Sequence, residues 1–164
     1  MPTAPADLVS WEVMEDLDAV ESSIEVVRQK QVGDDAVVAV RYQRTSGALR
    51  QGMYGFRMRE GVWRPRASFS GGVRGTDHEI WLHSGGWGDS TTHVRGGWVT
   101  EPAAARLRVT DPEDHVLEDD VQAGVAILIL RGDGFDVRRA TAELLDEHGG
   151  VLRTGPLLVR SRRP

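Results

Sequence analysis

The feature that most restricts the fold of this chain is a series of short strand-like runs, the first two rich in β-branched residues, each closed by a turn containing glycine or aspartate. Between residues 24 and 69, the turns Gly33-Asp34-Asp35, Thr45-Ser46-Gly47 and Glu60-Gly61 separate four such runs. Runs of this kind on either side of a glycine-aspartate turn are typical of a β-hairpin. We therefore predict an antiparallel meander of four strands in this part of the sequence.

The C-terminal half of the sequence shows a related pattern. Strands are predicted at residues 104–110, 124–130 and 137–145, and another begins at Val151. Turn signals that recur about every ten residues are typical of a β-sandwich or a barrel. We therefore predict a mainly β protein that folds as an antiparallel β-sandwich.

One segment near the N-terminus departs from the strand pattern. Val13, Leu17, Val20 and Ile24 recur at helical spacing, with acidic residues between them. The alternation of Trp11 with Val13 also suits a strand, so the segment has two interpretations. We favour the first and predict a short N-terminal helix that caps the sandwich.

The size of the chain suits one globular domain. A length of 164 residues with a hydrophobic fraction of 40% is enough to bury a core without disulfides or metals. We expect a flexible tail at residues 1–7 and a basic tail at 161–164. Residues 8–160 are expected to form a single compact β-rich domain. If that domain has an internal boundary, we expect it at residues 84–97.

Charge and cysteine content exclude several classes of function. The 25 acidic and 20 basic residues give a net charge of −5, and a negative surface repels phosphates, so nucleic-acid binding is disfavoured. The absence of cysteine excludes disulfides, thiol catalysis and cysteine-ligated metals. No apolar run reaches the roughly 18 residues of a membrane span. The first residues lack the basic and apolar segments of a secretory signal, so we expect a cytoplasmic protein.

Three pieces of the C-terminal half carry a resemblance. Val94–Val99, Arg106–Pro112 and the pair Ala142–Asp146 with Gly150–Arg153 resemble uncharacterised small proteins from GC-rich, actinobacteria-like genomes. The last pair is also similar to the strand, aspartate turn and strand of immunoglobulin-like sandwiches. The resemblance spans roughly residues 94–157 and implies an immunoglobulin-like sandwich with no known activity. Because the paired cysteines of true immunoglobulin domains are missing, only the sandwich architecture is carried over.

Residues 70–98 are rich in glycine, and we expect loops to dominate there. Trp81 and Trp87 lie among these glycines, and Arg95 follows them. Flat tryptophan rings beside glycine, with an arginine to orient polar groups, suit a small sugar-like ligand. The alternative is that tryptophan fills the core, which we favour for Trp81 and Trp98 because this residue is usually well buried. Trp87 is the tryptophan expected to be exposed.

Imidazole and carboxylate side chains are concentrated in the same region, and together they suit zinc or a similar metal. The residues are His78, Glu79, His83, Asp89 and His93. Strand alternation sends His78 and His83 to opposite faces, and the sequences H-E-x-x-H and H-x-x-E-H are absent. Our expectation is therefore a polar strand end with exposed histidines. A metal-dependent or hydrolytic site around His78, His83 and His93 is the alternative.

Arginine is concentrated in the predicted meander. Residues 41–66 contain seven arginines and one acidic residue, Glu60. Alternation places Arg57 and Arg59 on one sheet face, where Arg41 can join them, so a basic face for an anionic partner is one hypothesis. The alternative, which we favour, is a solvated face whose arginines pair with acidic residues elsewhere in the chain. We expect the acidic residues at 111–120 to form a solvated turn.

The sequence carries no motif for a nucleophile elbow, a phosphate loop or a dinucleotide fingerprint. We therefore assign no catalytic residue and expect no cofactor. The expected function is a non-catalytic binding or protein-interaction module, whose partner is another protein or a second copy of the chain. Sandwich sheets leave edge strands that need covering, and self-association is a common cover.

Overall fold

The computed structural model describes residues 4–72, 82–88, 92–132 and 134–158. The chain divides into two compact units, Met1–Gly75 and Thr76–Pro164. The division falls ahead of residues 84–97, which lie inside the second unit, and the single compact domain stays a prediction. The described helices are all too short to cross a membrane. The prediction of a mainly β, antiparallel fold with one short N-terminal helix is confirmed.

The first unit is a four-stranded antiparallel meander with one helix, as the turn pattern predicts. Its strands lie side by side in chain order. The elements are α1 (Pro5–Val13), β1 (Glu25–Val32), β2 (Asp35–Gln43), β3 (Leu49–Arg59) and β4 (Val62–Gly72), with a 3₁₀ turn at Glu21–Ser23.

The turn between β3 and β4 shows how local chemistry fixes the register. Glu60 and Gly61 both have positive φ angles, 52° and 77°, which is the backbone of the two-residue hairpin turn that matches strand twist. Arg59 therefore pairs with Val62 as the first hydrogen-bonded pair of the ladder. The same register is kept as far as the Phe56–Pro65 pair, beyond which a bulge shifts it.

Helix α1 covers one face of the first sheet. Val9 and Val13 are fully buried and share a core cluster with Val38 and Val40 of β2. The helix starts at Pro5, inside the segment expected to be a tail, because proline suits the first helical turn. It ends at Val13, so the prediction that Leu17 continues its apolar stripe is wrong. Leu17 is 92% exposed.

The second unit consists of two antiparallel sheets. One has the strand order β5-β6-β9 and the other the order β11-β10-β7-β8. The strands are β5 (Leu82–Gly88), β6 (Thr92–Val99), β7 (Arg106–Thr110), β8 (Val116–Asp120), β9 (Val125–Arg131), β10 (Thr141–Leu145) and β11 (Val151–Pro156).

Side chains from both sheets form one core in the second unit. Leu107 and Leu144 of the four-stranded sheet share a cluster with Ala126 and Leu128 of β9. Two sheets that bury their facing side chains in this way make a sandwich, so the predicted β-sandwich is confirmed for this unit. The strand predicted at residues 124–130 is β9, which starts one residue later, at Val125, and is buried almost throughout.

The glycine-rich stretch is strand rather than loop wherever it is described, so the loop prediction is wrong there. Strands β5 and β6 pass through it and pair along their whole length. A side chain at Gly86 would meet Arg95, and one at Gly88 would meet the ring of His93. These glycines therefore leave room for side chains of the neighbouring strand, a use of glycine that turn statistics do not predict.

One aspartate ties the two sheets of the sandwich together. Asp119 of β8 is 8% exposed, and its Oδ2 accepts a hydrogen bond of 2.7 Å from the backbone N–H of Ile127 in β9. Because β8 and β9 each lie at the edge of a sheet, this bond joins one edge to the other. Asp111 is buried as well, so the expectation that the acids of 111–120 form a solvated turn is wrong for these two residues.

Candidate functional site

The predicted metal ligands lie mostly outside the described residues. This applies to His78, Glu79 and Asp89. The backbone of His83 pairs with Trp98, and His93 pairs with Gly88, five residue pairs further along the β5–β6 ladder. At about 3.3 Å per residue the two positions are roughly 16 Å apart, so they do not converge in this hairpin. A site that includes the other three residues stays a prediction.

The two described residues of the predicted site for a sugar-like ligand, Trp87 and Arg95, do not lie together. Trp87 pairs with Val94, whereas Arg95 pairs with Gly86, so Trp87 and Arg95 lie on opposite faces. Arg95 crosses Gly86, and its partial burial lowers the pKa of its guanidinium. Trp81 lies outside the described residues. Trp98 is 4% exposed, which confirms its expected burial.

Two arginines of the meander pair with acidic residues, as the favoured hypothesis predicts. Arg44 Nε lies 2.9 Å from Asp16 Oδ2, and Arg57 Nε lies 2.7 Å from Asp35 Oδ1. Asp16 lies outside the meander, in the turn that follows α1, whereas Asp35 opposes Arg57 directly across the β2–β3 ladder.

The Asp16 carboxylate fixes the turn that follows α1. Its Oδ2 accepts hydrogen bonds from Arg44 Nε and from Tyr42 Oη, at 2.9 Å and 3.0 Å. The Arg44 bond lowers the pKa of Asp16. Beside this pair, burial and the neighbouring Tyr42 raise the pKa of Tyr54. Because Asp16 is anchored to the end of β2, the next residue, Leu17, is held at the surface.

Charge is distributed unevenly within the first unit. Residues 4–25 contain seven acidic residues and no basic one, whereas residues 26–72 contain nine basic and three acidic residues. The acidic segment includes α1, which covers one face of the sheet. Most of the acidic residues therefore lie on α1 and the turns that follow it, and most of the basic residues lie on the strands.

The helix side also exposes two large apolar residues. Trp11 is 77% exposed and Leu17 is 92% exposed, and Glu15 and Asp18, which lie close to them in the sequence, are exposed too. We call Trp11, Glu15, Leu17 and Asp18 the acidic helix surface. Scattered exposed apolar residues are common, but tryptophan is the type most enriched at the centres of protein interfaces.

The tip of the β3–β4 hairpin forms a basic surface. Arg59 pairs with Val62, and Arg57 pairs with Arg64. Cross-strand partners, and residues two apart on one strand, share a face. Arg59, Val62 and Arg64 are exposed, and Val62 retains 48% of its surface. Within the described part of the chain, Arg59 and Arg64 make no ion pair, whereas Arg57 is matched by Asp35. We call Arg59, Val62 and Arg64 the basic hairpin.

The predicted basic face is therefore only partly assembled. Arg57 and Arg59 lie together at the hairpin end, but Arg41 lies six residues along β2 from the partner of Arg57, roughly 20 Å away. Arg41 also faces Glu25 across the β1–β2 ladder. Sequence reasoning missed Arg64, because its place on this face depends on the register that the Glu60-Gly61 turn sets.

A further polar cluster lies at the β7–β8 turn, which sequence reasoning also missed. Asp111 Oδ1 accepts hydrogen bonds from the backbone N–H groups of Glu113 and His115, both at 2.9 Å. Asp111 Oδ2 accepts from His115 Nδ1 at 2.9 Å and from the backbone N–H of Asp136 at 3.2 Å. Burial acts to raise the pKa of Asp111, but these bonds lower it to about 2.

The same cluster has the composition of a cation site. Ligand atoms of Asp111, Glu113 and His115 lie within 4.8 Å of one another. Both oxygens of Asp111 are, however, already engaged by two N–H donors each, which a cation would have to displace. The bond to Asp111 raises the pKa of His115, whose charged form is thereby favoured. The hydrogen bonds of this cluster therefore stabilise the conformation of the β7–β8 turn.

The chain matches no family model, no curated protein and no solved structure. The residues and contacts described above are therefore the basis on which a function can be proposed.

Proposed function

We propose that the chain is a non-catalytic protein-interaction module that binds its partner through the acidic helix surface. The observation that carries this proposal is the 77% exposure of Trp11 on the outer side of α1. Covering that much of a tryptophan, about 150 Å², favours association by roughly 4 kcal/mol before the costs of ordering. Leu17 adds a second apolar contact, since it is 92% exposed.

The surroundings of Trp11 define the chemistry of the partner. Glu15 and Asp18 are exposed and make no ion pair within the described part of the chain, although Arg44, which pairs with Asp16, also interacts with the charge of Asp18. A partner with arginine or lysine beside an apolar side chain would pair with these carboxylates and cover the indole ring, because cations are attracted to aromatic faces. The partner we propose is therefore basic and partly apolar.

The second unit, in this proposal, is an immunoglobulin-like scaffold. Its support is the arrangement of seven antiparallel strands in sheets of three and four with a shared core, which is the general plan of such sandwiches. A scaffold role agrees with the use of its aspartates to hold turns, as at Asp111.

Titration of a fluorescent probe peptide tests the proposal. The probe is a synthetic peptide of alternating arginine and leucine, and a peptide of alternating glutamate and leucine is its control. We expect the arginine peptide alone to bind, with an affinity that falls as salt is added. Trp11→Ala with Leu17→Ala is expected to weaken binding at least tenfold, which corresponds to about 1.4 kcal/mol.

A matched variant controls for the general loss of apolar surface. Val151 is 51% exposed in the second unit, and Val151→Ala is expected to leave the affinity unchanged. Equal binding of both peptides, or equal affinity of the wild type and the Trp11 and Leu17 variant, would contradict the proposal.

A further inference from the structure

We infer that the partner of the acidic helix surface is the basic hairpin of a second copy of this chain, so that copies associate head to tail. This inference rests on the proposed function, because it names the partner for the same surface. It uses four exposed residues on one side, Trp11, Glu15, Leu17 and Asp18, and three on the other, Arg59, Val62 and Arg64.

The two surfaces match in chemistry. Each guanidinium of Arg59 and Arg64 can form charge-assisted hydrogen bonds with a carboxylate such as Glu15. A guanidinium also stacks on an indole ring, which suits Trp11. Val62 is 48% exposed at the hairpin tip and offers an apolar contact for Leu17. The basic hairpin therefore provides the mixed basic and apolar partner that the acidic helix surface requires.

The two surfaces of one chain do not meet each other. Helix α1 packs on the face of the first sheet that contains Val38, Val40 and Phe56. Arg57 and Arg59 lie on the other face, because they alternate with Phe56 along β3. Since the sheet separates the surfaces, the complementary contact is made between copies. Such an interface joins two different patches and leaves one of each patch free at the ends, so assembly continues as concentration rises.

Side-chain contacts, and not pairing of strand edges, account best for this association. Among the described residues β4 has one neighbour, β3, and is an edge strand. Pro65 lies in a non-hydrogen-bonded pair with Phe56, so its nitrogen, which carries no hydrogen, points to the open edge. A proline, a bulge and flanking arginines are the features that block pairing at an edge.

Net charge does not prevent the contact. The chain carries −5, so copies repel each other at long range. At physiological salt this repulsion is screened beyond about 8 Å, whereas charges in direct contact are screened much less. Salt added above the physiological concentration weakens the contact itself, so the association should decrease as salt is added.

Charge reversal with rescue tests the inference. Sedimentation velocity of the full chain is measured at two concentrations and two salt levels. Wild type is expected to show a weight-average mass that rises with concentration and falls with salt. The variants Glu15→Arg with Asp18→Arg and Arg59→Glu with Arg64→Glu are each expected to sediment as monomers. An equimolar mixture of the two is expected to associate, because the reversed surfaces complement each other and the native surface that each variant keeps complements the native surface of the other.

Controls separate this result from loss of fold or loss of charge. All four reversed positions are exposed, so each variant is expected to keep the far-ultraviolet circular dichroism of wild type. Glu147→Arg, at another exposed position, makes the same charge change as Glu15→Arg and is expected to leave association intact.

Two outcomes overturn the inference in different ways. If wild type stays monomeric but binds the arginine and leucine peptide, the second copy is not the partner while the proposed function stands. If wild type associates but the mixture of reversed variants stays monomeric, copies meet through other surfaces. A protein that neither associates nor binds the peptide contradicts both the inference and the proposed function.

Discussion

In the first unit most acidic side chains of residues 7–25 are exposed to solvent and Asp16 pairs with Arg44, whereas in the second unit aspartates hold the backbone of turns and edges. Asp111, Asp119, Asp136 and Asp146 each accept at least one hydrogen bond from a backbone N–H. In the first unit such bonds run from Ala4 to Asp7 at the start of α1 and from Asp18 to Asp16 in the turn that follows it. The same residue type therefore serves mainly the surface in one unit and mainly the backbone in the other.

This difference shows that charge counts alone do not reveal what an acidic residue does. A carboxylate that faces water can be removed at little cost in stability, since water already satisfies its hydrogen bonds. A carboxylate that satisfies buried N–H groups cannot, because its loss leaves those donors without a partner. Substitutions in the two units should therefore divide into those that change stability and those that change binding.

The largest effect on stability is expected for Asp119→Ala. The substitution removes a buried acceptor and leaves the N–H of Ile127 without its 2.7 Å hydrogen bond, which should cost about 3 kcal/mol. Urea unfolding, followed by circular dichroism in the strand region, measures the loss. Glu147→Ala, at an exposed position, should change stability by less than about 0.5 kcal/mol. A similar effect for both variants would show that Asp119 does not join the sheets.

A smaller loss is expected for Asp146→Ala at the β10–β11 turn. Asp146 Oδ1 accepts hydrogen bonds from the backbone N–H groups of His148 and Gly150, at 2.9 Å and 2.7 Å. These donors lie near solvent, so water replaces part of the interaction, and the expected cost is about 1 kcal/mol. Thermal unfolding compares Asp146→Ala with Asp146→Asn, which keeps one acceptor and should lose less. Equal losses would assign the effect to something other than the hydrogen bonds.

The stability of the second unit should also depend on pH through His115. Its bond to Asp111 raises the pKa of His115 above its ordinary value of 6.5. The protonated imidazole therefore stabilises the folded state fully below pH 6.5, and this contribution is lost as the pH rises through the folded-state value. As the pH is raised from below 6.5 through the folded-state pKa, the unfolding midpoint should fall in wild type and change less in His115→Gln. The same change of midpoint with pH in both proteins would show that His115 does not cause the pH dependence.

The smallest effect on stability is expected for Trp11→Ala. Its side chain is 77% exposed, so the free energy of unfolding should change by no more than about 0.5 kcal/mol, although peptide binding should weaken strongly. Urea unfolding checks the first half of this statement. A loss of several kcal/mol would mean that Trp11 supports the fold of the first unit, and the contrast between the two units would then fail.

Much of the fold could be predicted from local sequence patterns. Strand β3 occupies the residues predicted for it, Leu49–Arg59, because it lies between two turns and its apolar residues Tyr54, Phe56 and Met58 alternate with glycine and arginine. The meander and the sandwich follow from the same signals. The glycine-rich strands could not be predicted, because glycine is a poor strand former. Its use at Gly86 depends on Arg95 lying across it, which only the register of β5 and β6 reveals.

The candidate surfaces were harder to predict than the fold. Helical spacing could not show that α1 ends at Val13 and leaves Leu17 exposed, because the anchor at Asp16 acts through residues of β2 that are distant in sequence. Similarly, no local pattern separates the buried Asp111 from the exposed Asp114 three residues later. Besides the local bonds from Glu113 and His115, Asp111 accepts a hydrogen bond from the backbone N–H of Asp136, more than twenty residues away.

Two glycines of the glycine-rich residues 70–98 should tolerate substitution to different degrees during evolution. At Gly96 a side chain would meet the carbonyl oxygen of Ala126 on the neighbouring strand, whereas at Gly72 nothing lies within reach. In a library of random variants, position 96 should therefore accept almost no replacement, and position 72 should accept many. A sequence comparison that scored both as ordinary flexible glycines would overlook the one that sets the spacing between two backbones.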